Sequence, residues 1–264
     1  MEQLACMAAS GLRVLGVAKA NDSTKAVGDP KDVPFEFVGL IGFLDPLRAD
    51  VPAALAEARA AGIDVSMITG DYPATALEIA RQAGLDVAGG VLTGTEIATL
   101  SPEELSRRLA TVRIFARVKP EQKLALVEAF KVRGEVVAMT GDGINDAPAL
   151  ERAHIGIAMG KRGTQVAQDA ADMVLKDDSF VSIVVAIRQG RVIFDNIRKF
   201  VVFLLSCNLS ELLVIASVSL LFLHFQLKPL QILFINLVTD VLPALALGVT
   251  AGGPSVMDQT PRDT

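Results

Sequence analysis

The stretch VVAMTGDGINDAP, residues 136 to 148, decides how this chain is read. Aliphatic residues that suit a buried strand stop at Thr140, and the next six residues hold two glycines, two aspartates and an asparagine. VSMITGD, residues 65 to 71, ends the same way in Thr69, Gly70 and Asp71. In open α/β sheets ligands collect outside the carboxyl ends of the strands, and both Thr-Gly-Asp turns fall at such ends. Gly141 and Gly143 let the backbone turn tightly without a Cβ penalty, so Asp142 and Asp146 are expected to face one point. Two carboxylates with the Asn145 amide oxygen nearby suit a hard cation that keeps its waters, Mg²⁺ serving a phosphate. Thr69 and its neighbouring amides supply hydrogen bonds to a phosphate oxygen. Lys123, early in the helix after IFARVKPEQ, supplies the positive charge that phosphoryl transfer needs. A single Gly-Asp turn is often only a helix cap and a lone lysine is usually solvated. The ordered string TGDGINDAPA is too particular a combination for either explanation.

Working outward, short aliphatic runs alternate with longer helical ones from about residue 36, the signature of repeated βαβ units and a parallel sheet. Strands are predicted near 37–41, 64–68, 112–117, 135–139, 155–158 and 172–175. Helices are predicted near 50–61, 73–83, 102–110, 121–132, 146–152 and 164–171. One start is well marked: Ser101 caps, Pro102 fits the first helical position and Glu104 completes a capping box. The polar stretch DSTKAVGDPKD, residues 22–32, reads as a loop, and SFVSIVVAIRQGRVIFDNIRKF as a long helix that runs unbroken into an apolar segment.

With 51% hydrophobic and 21% charged residues the chain is rich in apolar side chains for a soluble protein. The excess lies in FVVFLLSCNLSELLVIASVSLLFL (200–223), which carries one formal charge, and LQILFINLVTDVLPALALG (230–248). Each is about long enough to cross a bilayer core of about 30 Å at about 1.5 Å per residue. Arg191, Arg198 and Lys199 precede the first span, whereas the linker HFQLKP holds only His224 and Lys228, so residues 1–198 are expected on the cytoplasmic side. The first residues include an early acid and no basic region before an apolar stretch, so they are not expected to be a signal peptide. A net charge of −5 argues against a nucleic-acid partner, which needs clustered Lys and Arg. Cys6 and Cys207 suggest neither a disulfide nor a zinc site.

The motifs DPLR (Asp45 to Arg48), MITGD, FARVKPEQK, MTGDGINDAPAL and IGIAMG, in this order, resemble the C-terminal part of a cation-transporting P-type ATPase. The phosphorylation domain of that family is haloacid-dehalogenase-like. GLRVLGVA resembles the end of its nucleotide-binding domain. The resemblance implies ATP as substrate and Mg²⁺ at Asp142. It also implies that Thr69, Gly70, Asp71 and Lys123 contact the phosphoryl group, that Asn145 and Asp146 complete the phosphate pocket, and that Asp45, Arg48 and Arg117 lie near the hinge and nucleotide. One departure stands out: the family's phosphorylated aspartate, in an Asp-Lys-Thr-Gly-Thr motif, is absent from this sequence. The chain is therefore expected to be a fragment that cannot run the cycle alone. Its missing partners would be an actuator domain, most of the nucleotide-binding domain and further membrane helices.

Ionisable residues inside a span cost roughly 2.5–3.5 kcal/mol each on insertion scales and usually mark an ion pathway. Asn208 and Glu211 in the first span, and Asn236, Thr239 and Asp240 in the second, fall at i, i+3 and i+4 spacings that share a helical face. Pro243 cannot bond to the Thr239 carbonyl, which frees another oxygen. Two carboxylates among neutral oxygens point to a hard cation such as Ca²⁺, with Mn²⁺ second, and Cys207 is expected on another face. SCNLSE and NLVTD also resemble membrane helices of the calcium-pump branch. The predicted architecture is a Rossmann-like α/β phosphorylation domain followed by a transmembrane two-helix hairpin. Its boundaries are 1–30 for a nucleotide-domain remnant and hinge, 31–180 for the phosphorylation domain, 181–250 for stalk and spans, and 251–264 for a cytoplasmic tail. The whole is expected as a multi-pass protein of the plasma membrane, in contact with lipid. Two alternatives stay open: a naturally truncated, non-catalytic regulatory partner of a pump, and a membrane-anchored phosphatase of the same superfamily, for which Asp45 is the only early nucleophile candidate.

Overall fold

The computed structural model describes residues 2–20, 34–221 and 228–262. The predicted loop 22–32, the 30/31 boundary within it, and His224 lie outside the described residues. The chain divides into two compact units, Met1–Ser182 and Ile183–Thr264.

In the first unit, α1 (Glu2–Ala9) leads into β1 (Arg13–Ala20), which pairs antiparallel with β2 (Phe35–Phe43) from Arg13 opposite Phe43 to Ala20 opposite Phe35. This corrects the sequence reading, which placed a strand at 37–41 in the parallel sheet. Its partner β1 lies in RVLGVAKA, where a Gly and a mixed apolar and basic pattern hide the period-2 signal. Beyond it the βαβ order holds: α2 (Val51–Ala60), β3 (Met67–Ile68), α3 (Pro73–Ala83), β4 (Val91–Thr93), α4 (Gly94–Ile97), α5 (Pro102–Leu109), β5 (Ile114–Ala116) and α6 (Pro120–Val132). Then come β6 (Ala138–Gly141), a 3₁₀ turn at Ile144–Asp146, α7 (Ala147–Arg152), β7 (Ile155–Met159), α8 (Gln165–Asp169) and β8 (Met173–Leu175). All pairings among β3 to β8 are parallel, in the orders β3-β5-β4 and β6-β7-β8.

The apolar strands bury what their sequence dictates. Leu92, Leu109, Val112, Phe115 and Leu126 form one cluster, and Val127, Met139, Leu150, Ala158 and Ala167 another, with Ile68 packed against both. Ile68 therefore sets the end of β3, with Thr69 next, beside the β6 side of the core. Phe115, fully buried, meets Phe130 edge to face at 6.4 Å; a side chain of that size contributes about 1.5–3 kcal/mol on burial. Helix starts follow local chemistry. Ser101 Oγ accepts Glu104 N–H at the head of α5, as predicted, but the reciprocal carboxylate bond forms one helix earlier. There Glu96 takes the Thr93 N–H at 2.7 Å while Thr93 Oγ1 accepts Glu96 N–H, a complete capping box ahead of α4. Neither β4 nor α4 was predicted, because elements of three and four residues are too short for a periodic pattern.

The second unit holds most of α9 (Phe180–Leu220), a continuous helix of 41 residues. It also contains α10 (Pro229–Thr239), α11 (Val241–Gly248) and a 3₁₀ turn at Pro254–Met257. Phe180–Leu220 and Pro229–Gly248 are long and apolar enough to cross a membrane. None of the residues in the apolar window of α9 is buried within this chain. The segment after residue 250, expected as a tail, is folded against α9. Arg191 Nη1 donates to Val256 O (3.1 Å) and Gln259 O (2.7 Å), and Asn196 Nδ2 donates to Thr250 O (2.7 Å). Arg262 pairs with Asp195 at 2.7 Å and lies over the Phe194 ring.

Candidate functional site

At the end of β6 the chain has no room for a side chain on residue 141. A Cβ on Gly141 would come within 2.5 Å of Asp146 Cβ, so glycine is what lets Asp146 fold back over the strand end. Asp146 is 5% exposed, and both carboxylate oxygens are engaged. Lys123 Nζ donates to Oδ1 at 2.5 Å, and Gly143 N–H to Oδ2 at 3.2 Å. Lys123 comes from the first turns of α6, so a helix and a strand end 23 residues apart converge on one ion pair. Asp142, by contrast, is exposed, and its main-chain carbonyl accepts Thr164 N–H at 2.8 Å. Asn145 is exposed in the 3₁₀ turn between them. Asp142 and Asp146 thus stand at the same strand end in different surroundings: the Asp146 carboxylate serves Lys123, and Asp142 is the one with open oxygens.

The β3 end closes on itself. Thr69 Oγ1 donates to Asp71 Oδ2 (2.9 Å) and accepts Asp71 N–H (3.1 Å). Its main chain is clamped between Phe115 O and Val118 N. Arg117, beyond the end of β5, takes a left-handed conformation (φ 53°) and bonds through its amide to Asp71 O. Gly70 is exposed, and a Cβ there would meet nothing within 4 Å, so the fold itself does not demand glycine. Gly70, Asp71, Thr75 and Arg117 line a cavity of about 350 Å³ together with Arg13 of β1. Two arginines among the lining residues suit a polyanion, since Arg presents a planar fork of donors to phosphate oxygens. Sequence reasoning missed Arg13. Its only signal was its place in GLRVLGVA, because nothing local links residue 13 to residues 70 and 117. Asp45 and Arg48 do not line the cavity. Asp45 is exposed, and Arg48 Nη1 donates to Asp178 O at 2.7 Å.

In the second unit the apolar helix breaks at Asp240, which ends α10, precedes α11 and is 8% exposed. Thr239 Oγ1 donates to Asp240 Oδ1 at 3.0 Å and to Ile235 O at 2.8 Å. With its amide turned so that both ends are satisfied, Asn236 donates to the Glu211 carboxylate, 3.1 Å to Oε2. Asn208 Nδ2 bonds back to Leu204 O in its own helix. Four of the five predicted side chains thus fall into two contacts, Asn236 with Glu211 and Thr239 with Asp240. The Cys207 thiol faces Asp240 and Glu211, not another face as predicted. The reason is its spacing: residue 207 stands at i, i+4 from Glu211, which is a shared face. Among the described residues no three His, Cys, Asp or Glu side chains converge as a metal cluster. A cation held here would depend on amide, hydroxyl and carbonyl oxygens as well as the two acids.

Residues 7–154, more than half of the chain, match the haloacid dehalogenase-like hydrolases. The chain belongs to that family. Both Thr-Gly-Asp strand ends, Lys123 and the two arginines of the cavity fall inside the stretch that carries the haloacid dehalogenase-like match. Residues 224–264 match a second family, described as the C-terminus of cation transporting ATPases. The chain is similar to calcium-transporting ATPase 1 of Bacillus cereus, 44% identical over 265 residues, covering 99% of this chain and 30% of that protein. It is 46% identical over 261 residues to the calcium-transporting ATPase of Bacillus subtilis, covering 97% and 29%. The identity is also 46% with the probable cation-transporting ATPase F of Mycobacterium tuberculosis, covering 96% and 29%. This haloacid dehalogenase-like chain thus spans less than a third of the length of the curated relatives it matches.

Proposed function

We propose that the chain is the phosphorylation domain and a membrane hairpin of an ATP-driven P-type cation pump, with Ca²⁺ as the transported ion. The observation that carries the reading is the pairing of two acidic sites on one chain. One is the Asp142 turn beside the Lys123–Asp146 pair at the strand ends; the other is Asp240 at a helix break in an apolar segment. A phosphatase needs only the first. The superfamily phosphatase alternative is further weakened at Asp45, which is exposed, outside the arginine-lined cavity, and followed two residues on by Leu47.

The residues fit Mg²⁺: Asp142 offers an exposed carboxylate at a strand end, and hard cations of this kind take one or two carboxylates plus water and phosphate oxygens. When bound there, Mg²⁺ would neutralise charge on the phosphoryl group. Lys123, fixed by Asp146, presents its remaining N–H groups toward the same end of the sheet. The open backbone at Gly70 offers a donor to phosphoryl oxygens, whereas Thr69, whose hydroxyl proton goes to Asp71 and whose N–H goes to Phe115 O, holds the turn in shape. Arg13 and Arg117 hold the polyphosphate of ATP in the cavity. None of these groups is a nucleophile, and the motif that carries the acceptor aspartate is absent from the sequence. This stretch by itself is therefore inactive as an ATPase in this reading. Asp240, Thr239, Glu211, Asn236 and Asn208 furnish hard oxygens for Ca²⁺, in line with the names of the relatives. Residues 1–198 lie on the cytoplasmic side of a plasma membrane, and the pump crosses it several times.

The test uses the full-length pump that contains this segment. Asp142→Ala abolishes Mg²⁺-dependent phosphoenzyme formation, and Asp240→Asn raises the Ca²⁺ concentration needed for phosphorylation by ATP. Normal labelling in the first variant, or unchanged Ca²⁺ dependence in the second, refutes the corresponding half of the assignment.

A further inference from the structure

Asp178, between β8 and α9, has φ 54° and is one of two non-glycine residues with positive φ among those described. It is buried, and its carboxylate accepts three consecutive main-chain N–H groups. Gly160 (2.7 Å) and Lys161 (2.9 Å) bond to Oδ1, and Arg162 (2.9 Å) to Oδ2. Successive amides aimed at one point form an anion-binding concavity, and here the chain supplies the anion itself. Those bonds, the Lys161 amide foremost, hold the Asp178 carboxyl below the usual carboxylate range.

The loop so gripped is the return after β7. Gln168 Nε2 braces it from the other side, donating to Met159 O (3.3 Å), Gly160 O (3.1 Å) and Gly163 O (3.1 Å). Gly163 is obligatory, since a Cβ there would collide with Met159 O. The next residue, Thr164, donates its N–H to the main-chain carbonyl of Asp142. Two sets of hydrogen bonds, joined by the covalent main chain of residues 160–164, therefore link the Asp178 carboxylate to the backbone of the exposed acid at the β6 end. None of these groups reaches the Asp142 carboxylate directly.

We propose that Asp178 is a positioning residue for Asp142: by fixing the 160–164 loop it sets the main chain of Asp142, and so the direction in which that carboxylate meets Mg²⁺. The inference rests on the phosphorylation-domain reading given above. Two properties of Asp178 suit the role. Aspartate tolerates the left-handed region better than most residues, and only an ionised carboxylate can accept three N–H groups with no donor of its own. Asparagine shares the first property and lacks the second, because one of its two terminal atoms is a donor.

Asp178→Asn in the full-length pump, phosphorylated from inorganic phosphate over a Mg²⁺ titration, is the test. Groups that orient a metal ligand from behind typically change metal affinity by 10- to 100-fold, so the Mg²⁺ half-saturation is expected to rise about tenfold. The maximal phosphoenzyme level at saturating Mg²⁺ is expected to be retained. Loss of the maximum at every Mg²⁺ concentration, with an unchanged midpoint in the remaining signal, marks a purely structural role and overturns the proposal. Gln168→Met, which frees the same loop from its other side, is expected to shift the midpoint in the same direction and serves if the first variant does not fold. Asp142→Asn run in parallel separates two failures. If it moves the Mg²⁺ dependence while Asp178→Asn and Gln168→Met do not, the positioning role is wrong. If it moves nothing, the phosphorylation-domain reading fails first and takes this proposal with it.

Discussion

Replacing Lys123 by methionine keeps the apolar stem of the side chain and deletes its charge, leaving Asp146 with one N–H partner, from Gly143. The size of the effect follows from burial. Removing one member of a fully buried ion pair costs about 3–5 kcal/mol, and of an exposed pair about 0–1 kcal/mol. The Lys123 and Asp146 side chains are 20% and 8% exposed, which places the loss between these limits but nearer the first. The expected destabilisation is about 2–3 kcal/mol on that scale, or a fall in Tm of about 4–12 °C for a unit of this size. The chain has no Trp and one Tyr, so intrinsic fluorescence reports little and scanning calorimetry in detergent is the suitable assay. Asp146→Asn tests the other end. In the double variant Lys123→Met/Asp146→Asn the neutral amide has no charge to leave stranded, and the loss is expected to fall short of the sum of the singles by about 2 kcal/mol. Additivity within about 0.5 kcal/mol would mean the two groups are uncoupled and would refute the reasoning.

The two strand-end glycines separate fold from ligand. Gly141→Ala, whose Cβ meets Asp146 at 2.5 Å, is expected to destabilise by about 1–3 kcal/mol. Gly70→Ala, with open space at that position, is expected to leave Tm unchanged and to weaken phosphate binding, as calorimetric titration would show. Arg13→Ala and Arg117→Ala are each expected to weaken ATP binding by about 1.5–3 kcal/mol, the worth of a hydrogen bond to a charged group; unchanged affinity in both would remove the nucleotide from that cavity. On α3, the Arg81 guanidinium, with help from Gln82, holds the Glu78 carboxyl down at about 2. Its folded pKa is depressed, so the stabilisation is fully present above the ordinary value near 4.5 and is lost as pH falls toward 2. Glu78→Gln should flatten that part of an acid-unfolding curve, and an unaltered curve would count against the pair.

Much of the strand-end site was readable in the sequence because its parts are local. A strand, a Thr-Gly-Asp turn and a following helix are encoded within a dozen residues, and the helix starts at Pro73, Pro102 and Pro120 carry their own stop and start signals. The same locality gave α9 and its polar residues. Where the sequence reading failed, the missing information was long-range. Strand 35–43 was assigned to the wrong sheet because its antiparallel partner is Arg13–Ala20, which carries no clear strand period, and Cys207 was misplaced by comparison with Asn208, not with Glu211 one turn on.

By itself the sequence determined the order of βαβ elements, the acidic strand ends and the two apolar helices, since each depends on residue spacings of two to four along the chain. Only the tertiary structure decided which acids are occupied and which are open. Asp146 is drawn under by Lys123 from another helix, Asp142 is left exposed, and Arg13 is carried by β1 into a cavity with Gly70 and Arg117. The physical reason is that ion pairing and burial are set by groups that meet through packing, and packing joins residues whose separation in sequence carries no signal.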